Sequence, residues 1–248
     1  MAGVHRFARS PGPAAGSAGR LRTESGGALI VALMAMTLML AFGSALVLIA
    51  VTETKISAYH ANGVEALYAA DAAIERALVD LAQLATWDAA LNGTATSTFT
   101  DGGSGGIRIV SGTRIDLDEA TRTLRCGRPG SCSSGDASAF TVDRPYGVNN
   151  PWWQLYAWGP LAQVDAGGQT SPYVAVWVGD DPAEQDGDPQ RDGTEPDDPG
   201  RGVIRLTSQA FGAAGVRRAV EVTIVRRSDP DDTKPAAALR VVSWREVR

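Results

Sequence analysis

Histidine is nearly missing from this 248-residue chain: there are two, His5 and His60, and none follows them. The long C-terminal part therefore lacks the Ser-His and Cys-His arrangements of nucleophilic catalysis, and the common His-ligated zinc sites with them. Cysteine is as sparse. Cys126 and Cys132 stand alone in "CGRPGSC", and two thiols cannot supply the four ligands of a structural zinc. Two readings stay open: a disulfide closing a small loop, if this part lies outside the cytoplasm, or two unpaired thiols. No GxGxxG occurs, and "GGSGG" (Gly102 to Gly106) precedes a strand-like run, so it reads as a loop. A net charge of −5 with no basic patch gives no support to a nucleic-acid partner. The expectation is a protein that is not an enzyme. A carboxylate-pair hydrolase is the chemistry left untested, because pairing of aspartates in space is invisible in sequence.

Charge is missing from Ser25 to Thr52, 28 residues between Glu24 and Glu53, and proline is missing between Pro13 and Pro129. Gly43 and Gly63 are the only glycines from Ala28 to Leu91. What remains is a long helix, predicted over 27–90 and roughly 95 Å in length. Its first part, 27–52, is apolar all round and long enough to cross the ~30 Å hydrocarbon core of a bilayer. It is too long for the h-region of a signal peptide, about 7 to 15 residues. Its second part, 53–90, carries one apolar stripe through Val64, Leu67, Asp71, Ile74, Leu78, Leu81 and Ala85 at spacings of three and four. Asn92-Gly93 is the stop signal. Residues 1–26, rich in Gly, Ala, Pro and Arg, read as a disordered basic leader. Arg6, Arg9, Arg20 and Arg22 keep that end cytoplasmic, so the rest is exported.

Here a family resemblance enters. "ESGGALIVALMAM" resembles the start of PilX-type minor pilins of type IV pili, and "YAADAAIERAL" (Tyr68 to Leu78) is similar to a stretch about forty residues further on in that group. The closing segments, "GVIRLTSQAFGAAGVRRAVEVTIVRR" and "LRVVSWREVR", are similar to the last strands of such proteins. The resemblance implies a prepilin peptidase cutting after Gly26 or Gly27 and an inner-membrane subunit with a periplasmic head. After assembly that subunit would lie in a pilus at the cell surface, among other pilins and minor pilins and beside a tip adhesin. One departure is informative. Most pilins carry a glutamate five residues into the mature chain, where this sequence has Val31 or Ala32, depending on the cut. A carboxylate in hydrocarbon needs a partner, and a subunit with no neighbour ahead needs no such carboxylate; the resemblance thus implies an initiating or tip position. The GspK-like tip pseudopilin of type II secretion, which also lacks the glutamate, is one alternative. A single-pass anchored binding domain or hydrolase outside any filament is the other.

Beyond Gly93 the periodicity changes to two. "GIRIVSG", "WQLYAWG", "PYVAVWVG", "VIRLTSQAF", "RAVEVTIVR" and "LRVVSWREV" read as strands. The fourth and fifth form a hairpin across "GAAG", and the last is a charged edge. The predicted fold is α+β, pilin-like: a β-rich head over 91–248, with one face of an antiparallel sheet packed on the helix stripe of Leu67, Asp71, Ile74, Leu78 and Leu81. Trp152, Trp153, Trp158, Trp177 and Trp244 are expected on the core or sheet faces, and Asp71 either pairs with an arginine or sits at the rim. An acidic loop, 179–202, holds nine carboxylates and four prolines. Such charge density points to a counter-ion, and Asp180, Asp181, Glu184, Asp186, Asp188 and Asp192 are the candidate calcium ligands. Gln190 and the lack of a closing glutamate exclude an EF-hand, and the competing reading is a solvated adhesin-docking loop.

Overall fold

The computed structural model describes residues 25–161, 171–193, 200–226 and 239–247. Residues 1–24, read above as most of the leader, and 194–199 of the acidic loop lie outside the described residues. The chain divides into two units, 1–53 and 54–248. Helix α1, Ser25–Leu81, contributes to both. In the first unit its side chains from Gly26 to Glu53 are all exposed. Among the described residues it is the one helix long and apolar enough to cross a membrane.

The fold class is α+β, as expected. In the second unit five strands form an antiparallel meander in chain order: β3 (Gln154–Pro160), β4 (Tyr173–Asp180), β5 (Val203–Phe211), β6 (Arg217–Arg226) and β7 (Leu239–Val247). The β5–β6 hairpin runs in unbroken register from Val203 opposite Val225 to Phe211 opposite Arg217. Its connection is closed by Ala214 in the left-handed region at φ 55°.

Alternation along the strands makes two cores. Val174, Val176, Val178, Ile204, Leu206, Val220, Val222 and Ile224 face α1 and are buried. Each such side chain contributes about 1.5–3 kcal/mol on leaving water. The alternate residues of β4, Tyr173, Ala175 and Trp177, join Trp153, Leu155, Trp158 and Phe211 in a second core. That core is roofed by Ile115 and Leu117, from the small hairpin β1–β2 (Ile107–Val110, Thr113–Asp116) and helix α3 (Leu117–Cys126). A β-bulge between Leu155 and Ala157 places Tyr156 and Ala157 together on the α1 side. Strand β4, covered on both faces, is buried along its whole length. This explains its unbroken apolar run, which is otherwise a mark of doubly covered strands.

The chain departs from the predicted single helix over 27–90. Helix α1 ends at Leu81, and the short α2, Asp88–Leu91, follows. Fully buried Trp87 is the cause: its indole donates to the carbonyl of Leu81 at 3.3 Å, and Arg226 donates to the carbonyl of Ala85. Two carbonyls that a continuing helix would use are thus taken by tertiary partners. Asn92-Gly93 does mark a stop, that of α2. Gly93 has φ +78°, and a Cβ there would lie 2.3 Å from the Gln154 amide.

The two sheet edges differ. Residues 97–101 run beside β3, with Ser97 donating to Tyr156, Trp158 to Phe99 and Asp101 to Trp158. Among the described residues nothing pairs with the outer side of β7.

Candidate functional site

Three regions carry the features singled out in the sequence. The first is the start of α1. Gly26, Gly27 and Gly43 have no atom within 4 Å of where a Cβ would stand, so their smallness serves nothing within the described residues. The hydroxyls of Thr37, Ser44 and Thr52 turn back onto the carbonyls of Met34, Ala41 and Leu48 at 2.8–2.9 Å. Each of these three hydroxyls is thereby satisfied inside its own helix, which is what a hydrocarbon environment requires.

The second region is the head-facing side of α1. The buried line runs through Gly63, Ala66, Ala69, Ala70, Ala73, Ile74, Ala77 and Leu81. The predicted stripe is therefore displaced by about one residue. Ile74 and Leu81 are in the core, Leu67 and Leu78 pack at its margin, and Val64 and Ala85 are exposed. Alanines let the sheet approach closely, while the larger side chains ride beside the contact. Gly63 belongs to the same device, because a Cβ there would stand 3.0 Å from the Arg218 guanidinium, which pairs with Glu246 at 3.3 Å. Asp71 sits at the rim, where it accepts a 2.8 Å hydrogen bond from the Trp244 indole; among the described residues it pairs with no arginine. Trp244 is half exposed, and Trp152 lies under Arg125, whose guanidinium carbon is 4.0 Å from the ring centroid.

Sequence reasoning missed Asp80. It clamps α1 to the strip beside β3, accepting from Ser97 at 2.5 Å, from the Thr98 backbone at 2.7 Å and from Arg76 at 2.8 Å. Burial acts to raise its pKa, but the bonds from Ser97, Arg76 and Thr98 together outweigh it and the net shift is downward. Glu221 lies on the face of β6 opposite Val220 and Val222. There it is buried under the second layer, bonded to Arg144 at 3.0 Å and Arg245 at 2.7 Å. Cys126 and Cys132 are joined, their Cα atoms 5.9 Å apart. The bond ties the end of α3 to the start of α4 (Ser134–Ala139), which opens with a Ser133/Asp136 capping box.

The third region is the acidic loop, and the six candidate ligands separate. Asp181 pairs with Arg205 at 3.3 Å, Asp186 accepts from the Asp188 backbone at 2.8 Å, and Asp188 faces Arg191 at 3.7 Å on the surface. Asp180, Glu184 and Asp192 converge, offering one oxygen each within 4.8 Å of one another. Asp180 closes β4, the Glu184 amide turns back onto the Asp181 carbonyl at 3.0 Å, and Asp192 is held by the Gly202 amide at 2.6 Å. Burial first, then the nearby Glu184 charge, pushes the Asp180 carboxyl up to about 9. Burial pushes Asp192 up to about 6.

Residues 25–75 match the family model for the PilX N-terminal segment. The start of this chain is thus similar to the N-terminal segment of PilX-type proteins. The PilX match covers the exposed apolar part of α1 and its first head-facing turns, and it ends before Arg76. No curated protein and no solved structure matches the chain.

Proposed function

We propose that the chain is a minor pilin of the PilX type: anchored in the inner membrane by α1, processed after Gly26 or Gly27, and built into a type IV pilus at or near its tip. There it helps to initiate assembly and holds an adhesin, with its head exported to the periplasm and no catalytic role. The observation that carries this reading is the PilX match over 25–75, on a helix whose Gly26, Gly27 and Gly43 and whose apolar side chains as far as Val51 are unused by its own fold. Such a surface suits two successive environments, lipid before assembly and the helices of other pilins after it. Val31 and Ala32, where most pilins have glutamate, support an end position, since a subunit with none ahead of it has no amino terminus to neutralise.

The test is the mature N-terminus, read by mass spectrometry from native membranes with and without the prepilin peptidase. A peptidase-dependent start at Gly27 or Ala28 is expected. An intact Met1, or cleavage on the far side of the membrane, would overturn the proposal. The GspK-like reading shares the missing glutamate, and the two separate on which filament, pilus or secretion pseudopilus, contains the processed protein.

A further inference from the structure

We propose that Asp180, Glu184 and Asp192 form a calcium site in the exported head. A group of carboxylates is not a site by itself, and two further observations single this one out. Asp180 is 4 % exposed and Glu184 1 %, so these carboxylates are withdrawn from the water that would otherwise solvate them. Oδ1 of Asp180 also makes no hydrogen bond among the described residues. An interior carboxylate oxygen with no donor, aimed at two further carboxylates, costs several kcal/mol unless a cation or a proton compensates it.

The chemistry and dimensions choose the cation. All three donors are oxygens, which selects a hard ion over zinc or copper. Three oxygens within 4.8 Å of one another are close enough to share one calcium ion, whose ligands stand at about 2.3–2.6 Å. Three carboxylates leave room for the carbonyls or waters that complete six to eight ligands. The scaffold holds the donors independently of any ion: the Asp181 amide bonds to Asp180 and the Gly202 amide to Asp192. Gly200, at φ +98°, lets the returning chain close on Glu184, since a Cβ there would stand 2.8 Å from the Glu184 amide nitrogen. The ligands lie at intervals of four and eight residues along the chain, a pattern unlike the EF-hand and not legible without the fold.

The experiment uses the full chain in mild detergent, stripped with EDTA and titrated with Ca²⁺, with Mg²⁺ and with Tb³⁺. Trp87, which shares Arg226 with Asp192, is a donor for sensitised Tb³⁺ emission. At a hundredfold excess of Ca²⁺ over its Kd the melting temperature should rise by roughly 5–10 °C. Saturation is expected by about 1 mM, as for extracellular modules. Asp180→Asn should fold with an unchanged or raised melting temperature without calcium, and should lose both the shift and the Tb³⁺ emission. Asp186→Asn, in the same loop but outside the cluster, should keep both. Should Asp180→Asn fail to fold, Asp192→Asn takes its place with the same expectation. No Ca²⁺-dependent shift, an equal shift with Mg²⁺, or a shift that survives Asp180→Asn would each overturn the assignment. These readouts are independent of peptidase processing, so the calcium site and the pilin reading can fail separately.

Discussion

At the scale of single residues, charges placed inside the head decide its stability, and two of them make sharp predictions. Glu221 faces Arg144 and Arg245 within hydrogen-bonding distance and is almost fully buried. Glu221→Ala leaves Arg144 buried without its counter-charge and should cost about 3–5 kcal/mol in chemical denaturation followed by tryptophan fluorescence. Glu221→Gln, which keeps the shape, should cost less. Asp80 gathers donors from Ser97, Thr98 and Arg76, so Asp80→Asn should cost about 2 kcal/mol in the same measurement. The sign of its pH dependence follows from the lowered pKa. A carboxyl held below its unfolded value contributes stability that is present above about pH 4 and is lost as pH falls through the folded value. The wild type should therefore lose more stability than Asp80→Asn between about pH 4 and 2. Apart from the i,i+4 pair of Arg76 and Asp80, these partnerships were not legible in the sequence, because they join residues well separated in the chain, such as Arg144 and Glu221.

At the scale of elements, the strands were legible and the way they are covered was not. Runs such as Val203–Phe211, bounded by Gly202 and Gly212, and Leu239–Val247 carry enough β-branched and aromatic residues to mark themselves. Of the second layer, β1 was marked as "GIRIVSG", whereas β2 and α3 escaped because they are short, and short runs give weak periodicity. The end of α1 escaped because side-chain bonds from Trp87, six residues on, and from distant Arg226 end it, with no glycine or proline to announce it. The displaced helix face has a different cause: large side chains were weighted over small ones, whereas the contact is made by alanines. That contact is testable. Ala73→Leu inserts volume where helix and sheet meet and should destabilise by about 1–3 kcal/mol. The same change at exposed Ala72 should have little effect, and the pair compared by thermal melting isolates packing from helix propensity.

At the scale of the whole molecule, the likeness to the PilX N-terminal segment was readable because it lies on an unbroken, uncharged apolar run that needs no tertiary contact to be recognised. The calcium candidates were only half readable: composition marked the loop, but only folding sorts Asp180, Glu184 and Asp192 from the ion-paired or exposed carboxylates beside them. Under the proposed role the protein belongs at one end of a filament. Immunogold labelling of sheared pili should mark one end and leave the shaft bare, and labelling along the length would remove the end position. The open edge of β7 bears on the same point. With β3 flanked by residues 97–101, the sheet has, among the described residues, one unpaired edge. Two heads joined through β7 would saturate each other and stop, so strand pairing can terminate an assembly but cannot lengthen it.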